Sequence, residues 1–405
     1  MSMDKPVLLY VIGGLDVGGS ERHLIQILPR IAEKGFTPLV YILTHRGDLC
    51  AELEMQGIPV LSAVKDDKWH VSGKLRKAIR LMYSAFILVQ VIYKEQPHII
   101  HFFLPSAYLV GGLCTLLTRK SLRVMSRRSL RVYQDAHPVL AKVERLLHFT
   151  LNAALANSVA VYKELSQEGI PSSKIGVIYN GVDPEPFTKK LNRNEMRKKL
   201  GINEKSLVYV IVANLIDYKG HRDLIRAFSI IHGVLPNDWI LLCVGKDTGI
   251  GATLAILTME SGLQSHIRWL GQRSDVPAIL QVADIGVLCS HQEGFSNSIL
   301  ECMLAGLPMV VTNVGGNPEV VLDKRTGFVI PPRDPKKLAE ALLQLSRDPE
   351  LRNKMGSEGR TQIINKYLID KCVDEYVALY RGLLTEPHKP ICEILDAENS
   401  SQCVE

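Results

Sequence analysis

Residues 291–308 read HQEGFSNSILECMLAGLP, and two carboxylates, Glu293 and Glu301, stand eight positions apart in them. Between the two lie a glycine, an aromatic residue and a run of small polar residues. The apolar run 285–288 before this stretch suits a buried strand. Ser296, Asn297 and Ser298 are good helix N-caps, and Ser298 with Glu301 fits an S-x-x-E capping box. The pattern predicts strand, turn, helix. Free backbone N–H groups at such a helix start attract an anion, typically a phosphate. Glu293 then sits in the turn beside that anion, and Glu301 one turn inside the helix. A second reading stays open on these residues alone, in which Glu301 only caps and Glu293 is a solvated loop charge.

Other candidates also sit where a strand meets a helix. GGLDVGGSERH, 13–23, holds Gly18 and Gly19 in a glycine loop that lets backbone approach a phosphate or sugar; it does not fit G-x-G-x-x-G, so a dinucleotide fingerprint is a poor match. NLIDYKGHRDL, 214–224, puts Lys219 at the start of a helix whose dipole already favours anions, and LGQRSDVPAIL, 270–280, offers Arg273 after another strand. Lys219 and Arg273 together form a candidate clamp for one diphosphate. There is no H-E-x-x-H, Asp-x-Asp, Cys/His cluster, P-loop or G-x-S-x-G in the sequence, so no metal is expected.

Such residues need a scaffold that brings strand ends together. Apolar runs at 7–12, 37–43, 99–103 and 153–156, then 207–212, 239–244, 267–270, 284–288 and 308–312, alternate with amphipathic helical patterns. That alternation predicts parallel sheets covered by helices on both faces. YVIGGLDVGGSERHLIQIL and YVIVANLIDYKGHRDLIRAF each run strand, loop, helix, as though each half begins its own doubly wound domain. The turn-rich NGVDPEPF at 180–187 marks the junction. The expected division is 1–182, 183–364, a helix at 365–385 crossing back to the first domain, and a poorly ordered tail at 386–405.

The chain has 405 residues, enough for two or three domains, and 46% hydrophobic and 22% charged residues, the balance of a water-soluble globular protein. Its VLLYVIGGLDVGG opening reads as a strand rather than a signal peptide. The eight cysteines are scattered without a C-x-x-C pair, which points to a reducing, cytoplasmic setting. Of the net charge of +6, residues 1–190 carry 24 basic against 16 acidic residues, or +8, and the rest carry 24 against 26, or −2. The basic half favours an anionic ligand or an anionic membrane surface. Segment 73–97 is basic at one end and strongly apolar, but its unbroken apolar part is shorter than the about 20 residues a span takes. It reads either as a core helix or as an interfacial one. No nucleic-acid motif appears.

Taken together, EGFSNSILECMLAGLPMVVTNVGGNPEVV with VANLIDYKGH, WLGQRSDV, ANSVAV and VIYNGVD resembles glycosyltransferase family 4, over most of the chain to about residue 380. The resemblance implies a GT-B fold, two doubly wound Rossmann-like domains facing across a cleft, and retaining transfer of a sugar from a nucleotide diphosphate sugar to an acceptor hydroxyl. It implies that Glu293 binds donor-sugar hydroxyls, that Gly294, Phe295, Ser296, Asn297 and Ser298 bring backbone amides to sugar and diphosphate, that Glu301 binds ribose, and that Lys219 neutralises the departing diphosphate. Gly245 matches the family's next glycine loop, although VGKDTGIG departs from it. Asn214 stands where an arginine is common, leaving Arg273 or Arg222 to compensate. His101 matches the first of two first-domain histidines and is the candidate catalytic group there, while Phe103 replaces the second. With Arg127 and Arg128 it would line the acceptor side. The acceptor would be lipid-linked, a saccharide or another hydroxyl compound, at a cytoplasmic location with peripheral contact at the inner membrane face as an option. The alternatives are a non-catalytic nucleotide-sugar-binding protein of this fold and a nucleotide-sugar epimerase.

Overall fold

The computed structural model describes residues 5–396 except 17, 64–72, 117, 119, 190 and 236–237. The chain forms two units, residues 1–180 with 369–405, and 181–368. Each is a doubly wound α/β unit.

The first unit carries seven parallel strands: β1 (Val7–Gly14), β2 (Thr37–His45), β3 (Val60–Ser62), β4 (Ile99–Phe103), β5 (Leu122–Arg127), β6 (Ala153–Ala156) and β7 (Ile175–Val177). Their order is β3-β2-β1-β4-β5-β6-β7. Strands such as LLYVI and IIHFF are apolar throughout because helices cover both faces. On one face the helix Gly19–Glu33 packs with Ile369–Thr385, whose Val373, Tyr376, Tyr380 and Leu383 join Leu24, Ile27 and Leu28 in one core. On the other, Leu88 and Ile92 of helix Lys74–Glu95, Ala107 and Tyr108 of Pro105–Thr115, and Leu147 of Pro138–His148 bury against Val11, Ile100 and Phe102.

The second unit holds β8 (Leu207–Val212), β9 (Trp239–Val244), β10 (Ile267–Gly271), β11 (Ile285–Leu288), β12 (Met309–Thr312) and β13 (Gly327–Ile330), all parallel, in the order β10-β9-β8-β11-β12-β13. Strand order reverses between β1 and β4 in one unit and between β8 and β11 in the other. Ligands of such sheets bind beyond the strand carboxyl ends at these reversals. In the first unit that point holds Leu104, a leucine at φ 74°, outside the region its side chain favours.

Two expectations need correction. The tail at 386–405 is not wholly irregular: Ile391–Asp396 is a helix, and Ile391 and Ile394 are buried because Gly176 and Gly382 leave room for them. Residues 397–405 lie outside the described residues. The S-x-x-E box does not form either. The helix starts at Asn297 with Ser296 as its N-cap, so Ser298 is already helical and its hydroxyl pairs with that of Ser296 at 3.0 Å.

Candidate functional site

The loop after β8 is shaped by close approach to β11. A Cβ on Gly220, at φ 76°, would lie 2.0 Å from the carbonyl oxygen of Cys289, so only glycine fits. The Cys289 thiol donates to the Gly220 carbonyl at 3.2 Å, and the His291 N–H donates to the Tyr218 carbonyl at 2.6 Å. These contacts set Lys219 against the turn that leaves β11. Its Nζ donates to Glu293 Oε1 at 2.5 Å, and Ser290 Oγ donates to the same oxygen at 2.7 Å. The pair is largely withdrawn from solvent, with side chains 17% and 9% exposed. Beside it, His291 Nε2 and Asp223 Oδ2 share a hydrogen bond of 2.7 Å.

The backbone of the turn is held from β12. Thr312 Oγ1 donates to the Ser290 carbonyl at 2.5 Å, and the Gly316 N–H donates to the Gly294 carbonyl at 2.9 Å. Gly315, at φ 52°, approaches so closely that a Cβ there would lie 1.7 Å from the Glu293 carbonyl oxygen. Gly294 to Ser296 are buried, and Phe295 packs its ring 6.0 Å from that of Tyr367. The helix Asn297–Leu304 buries Ile299, Leu300, Cys302, Met303 and Leu304. Asn297, Ser298 and Glu301 are left on its half-exposed side, where helical spacing groups them on one face. Ser290, Thr312, Gly315 and Gly316 were not singled out from the sequence, although VGG at 314–316 carries a turn signal.

Around this centre the remaining candidates take different places. The Asn214 side-chain oxygen accepts from the Lys246 N–H at 3.0 Å and ties the β8 loop to the β9 loop. Gly245 approaches the Ala213 carbonyl so closely that a Cβ would lie 2.1 Å from it. The Asp247 carboxylate accepts the N–H groups of Gly249, Ile250 and Gly251, which holds its pKa below the ordinary value and fills the start of the helix Gly251–Glu260. Arg273 pairs within its own loop. Asp275 takes its guanidinium in a two-pronged pair at 2.8 and 2.7 Å, and β10 is the edge strand, two places from β8.

In the first unit the structure corrects three assignments. His101 is fully buried, not open to a substrate: its Nδ1 pairs with the Tyr380 hydroxyl at 2.7 Å and its Nε2 with Ser126 Oγ at 2.8 Å, and Tyr10 stacks on it. Burial, helped by the nearby Arg128 charge, lowers its pKa to about 3, so the ring is neutral. Arg127 is also buried, paired with Glu144 at 2.5 Å and Glu168 at 3.1 Å. Arg128 donates to the Asn180 side chain at 2.5 Å and lies over the Phe103 ring at 5.4 Å, so it too is no solvated loop charge. Gly18 caps the helix Gly19–Glu33, and together they open the loop beyond β1.

Gly315 offers a direct probe of how tightly the turn is held. Gly315→Ala is expected to push the Glu293 carbonyl away and lower kcat/KM by about tenfold or more, since a displacement near 1 Å of a positioning group costs that scale of rate. Steady-state kinetics on the folded variant check this, and unchanged kinetics would mean that the turn relaxes without disturbing Glu293.

Comparison with known proteins adds to this geometry. A family model described as "Glycosyl transferases group 1" matches residues 192–362, and one described as "Glycosyltransferase Family 4" matches 17–186. The chain is 29% identical over 216 residues to the N-acetyl-alpha-D-glucosaminyl L-malate synthase of Bacillus anthracis, a match covering 53% of this chain and 56% of that protein. It is 27% identical over 309 residues to the UDP-Gal:alpha-D-GlcNAc-diphosphoundecaprenol alpha-1,3-galactosyltransferase of Escherichia coli, covering 75% of this chain and 80% of that one. The Anabaena protein HepE, solved in complex with UDP-glucose, superposes with a TM-score of 0.80 at 22% identity, over 93% of this chain and 99% of that one, a likeness of fold.

Proposed function

Since the chain belongs to glycosyltransferase family 4 and has the GT-B fold, we propose that it is a retaining enzyme that moves a sugar from a nucleoside diphosphate sugar to an acceptor hydroxyl. The observation that carries this reading is the Lys219–Glu293 contact of 2.5 Å at the strand reversal of the second unit. An ammonium and a carboxylate held this close put a diphosphate-neutralising group and a hydroxyl-accepting group within the reach of one sugar–phosphate linkage. In this reading Glu293 accepts hydrogen bonds from the donor sugar, and backbone N–H groups at 294–298 face the phosphates. Glu301, a turn further along the same helix, accepts from the ribose hydroxyls. The anomeric C–O bond to phosphate breaks as the acceptor oxygen bonds to the same face of that carbon. The acceptor proton passes to the departing phosphate oxygen, and Lys219 stabilises the charge on the nucleoside diphosphate.

The acceptor in this reading is a lipid-linked or free saccharide, as in polysaccharide or glycolipid synthesis, in line with what the Escherichia coli relative is named for. Phe103 stands where the second histidine would, so in this reading activation of the acceptor falls to the donor phosphate. Lys219 and the helix start carry the diphosphate charge in this scheme, and turnover is expected to persist in the presence of a chelator of divalent ions.

The test is a panel of nucleotide sugars scored by thermal stabilisation of the full chain and then by transfer. A donor at 100 times its Kd adds about 2.7 kcal/mol. Glu301→Ala is expected to remove most of that shift while leaving the unliganded melting temperature in place. Failure of every nucleotide sugar to stabilise the protein would count against the reading.

A further inference from the structure

The helices Lys74–Glu95, Pro105–Thr115 and Pro138–His148 lie side by side on one face of the first unit's sheet. The Cys114 thiol reaches the Ala85 carbonyl at 3.7 Å, joining the first to the second, and Tyr108 stacks on His148 with ring centres 5.7 Å apart, joining the second to the third. Each helix buries an inner stripe, as any covering helix does. The outer sides are where they depart from the ordinary.

On Lys74–Glu95 the inner stripe is Ser84, Leu88 and Ile92. The opposite stripe, at helical spacing, is Ile79, Met82, Phe86 and Tyr93, each at least half exposed. The helix is therefore apolar on both sides. The third helix repeats this at its outer end with Leu146, 68% exposed, and Phe149 just beyond, 83% exposed. Eleven of the nineteen large hydrophobic side chains that stand exposed among the described residues fall on these three helices or their ends. Isolated exposed apolar residues need no explanation, but clustering of this kind marks a surface that meets something else.

The charges say what it meets. The exposed charges between these apolar residues are basic: Lys77, Lys142 and Arg145. The acidic residues of the two outer helices are placed elsewhere. Glu144 is buried against Arg127, and Glu95 sits at the helix end in contact with Lys94. An apolar face with aromatic residues, edged chiefly by cations, has the chemistry of an amphipathic surface that lies in the headgroup boundary of an anionic bilayer. Among the described residues no helix is long and apolar enough to cross a membrane, which leaves a peripheral contact. We propose that this three-helix face docks the first unit on an anionic lipid surface. The proposal stands apart from the donor reading, because none of these residues belongs to the Lys219–Glu293 site.

The experiment is sedimentation of the full chain with vesicles of phosphatidylcholine alone or of equal parts phosphatidylcholine and phosphatidylglycerol. The wild-type protein is expected to pellet with the mixed vesicles, less with the neutral ones, and less again as salt rises. Two variants separate the contributions, Phe86→Ser with Phe149→Ser, and Lys142→Glu with Arg145→Glu. Each is expected to weaken binding to the mixed vesicles by about tenfold or more, with the melting temperature unchanged. Equal pelleting with neutral and anionic vesicles, or none with either, would overturn the proposal. So would a dimer in solution that Phe86→Ser with Phe149→Ser abolishes, since a second copy would then be what covers this face.

Discussion

Lys219→Ala is expected to lower kcat by about 10²- to 10³-fold, the usual cost of removing one group aimed at charge that develops in the transition state. The ammonium lies at the strand reversal, is 17% exposed, and touches Glu293 at 2.5 Å. In a site so withdrawn from water its charge is screened less than on an open surface. Without it, a departing diphosphate in this reading would lean on the helix start and backbone N–H groups. Lys219→Arg is a separate test: it keeps the charge, but its planar fork cannot occupy the same point against Glu293 and Ser290, so only part of the rate should return. Glu293→Gln keeps an acceptor for Ser290 and loses the ion pair. If the ion pair only braces the fold, that variant and Lys219→Ala should melt early and turn over normally once folded. The proposed chemistry requires the reverse, with folded protein and turnover lost. A kcat within a few-fold of wild type for Lys219→Ala would remove this residue from the mechanism.

What the sequence disclosed and what it hid divide along a physical line. The strand, turn and helix around Glu293 were legible because each signal is local: an apolar run, small capping residues, then helical spacing. That Lys219 and Glu293 meet followed from both lying after strands of one doubly wound unit. The parts that fix the meeting were not legible. Gly315 presses on the Glu293 carbonyl from 22 positions downstream, and Thr312 holds Ser290 across strands. Nothing in one segment announces such a contact. The short strands Val60–Ser62, Ile175–Val177 and Gly327–Ile330 also escaped. His101 misled for a related reason. It reads as lying at the end of an apolar strand, but it is the middle residue of Ile99–Phe103, and Tyr380, 279 positions away on the returning helix, closes over it. Arg127 and Arg128 looked like a basic loop because Glu144, Glu168 and Asn180, which bury and pair them, stand 17, 41 and 52 positions away.

Arg127 is accordingly where the second large effect is expected, in stability rather than turnover. Arg127→Ala should cost about 3–5 kcal/mol, because Glu144 and Glu168 would remain buried with their shared cation gone. His148 Nε2, 3.4 Å from Glu168, and Gln134 Nε2, 3.1 Å from Glu144, cannot replace a guanidinium that serves both carboxylates. The pH dependence separates this from a simple packing loss. Burial pushes the Glu168 carboxyl up, but the hydrogen bond from His148 and the charge and hydrogen bonds of Arg127 outweigh it and bring its pKa down to about 2, from about 4.5. The unfolded chain therefore takes up a proton in that window before the folded one does. The contribution of Glu168 is present above pH about 4.5 and is lost as pH falls toward about 2. His101 acts in the same direction over a higher range: its pKa falls from 6.5 to about 3 on folding, so acid favours the unfolded chain from pH about 6.5 downward. Urea midpoints measured across this range should fall for the wild type from pH about 6.5, and more steeply below about 4.5. In Arg127→Ala the His101 portion should persist while the steeper portion shrinks, because Glu168 keeps the His148 hydrogen bond but loses the Arg127 charge and hydrogen bonds. A variant that keeps the steep portion in full, or loses less than about 1 kcal/mol at neutral pH, would show that Arg127 is not what balances the two buried carboxylates.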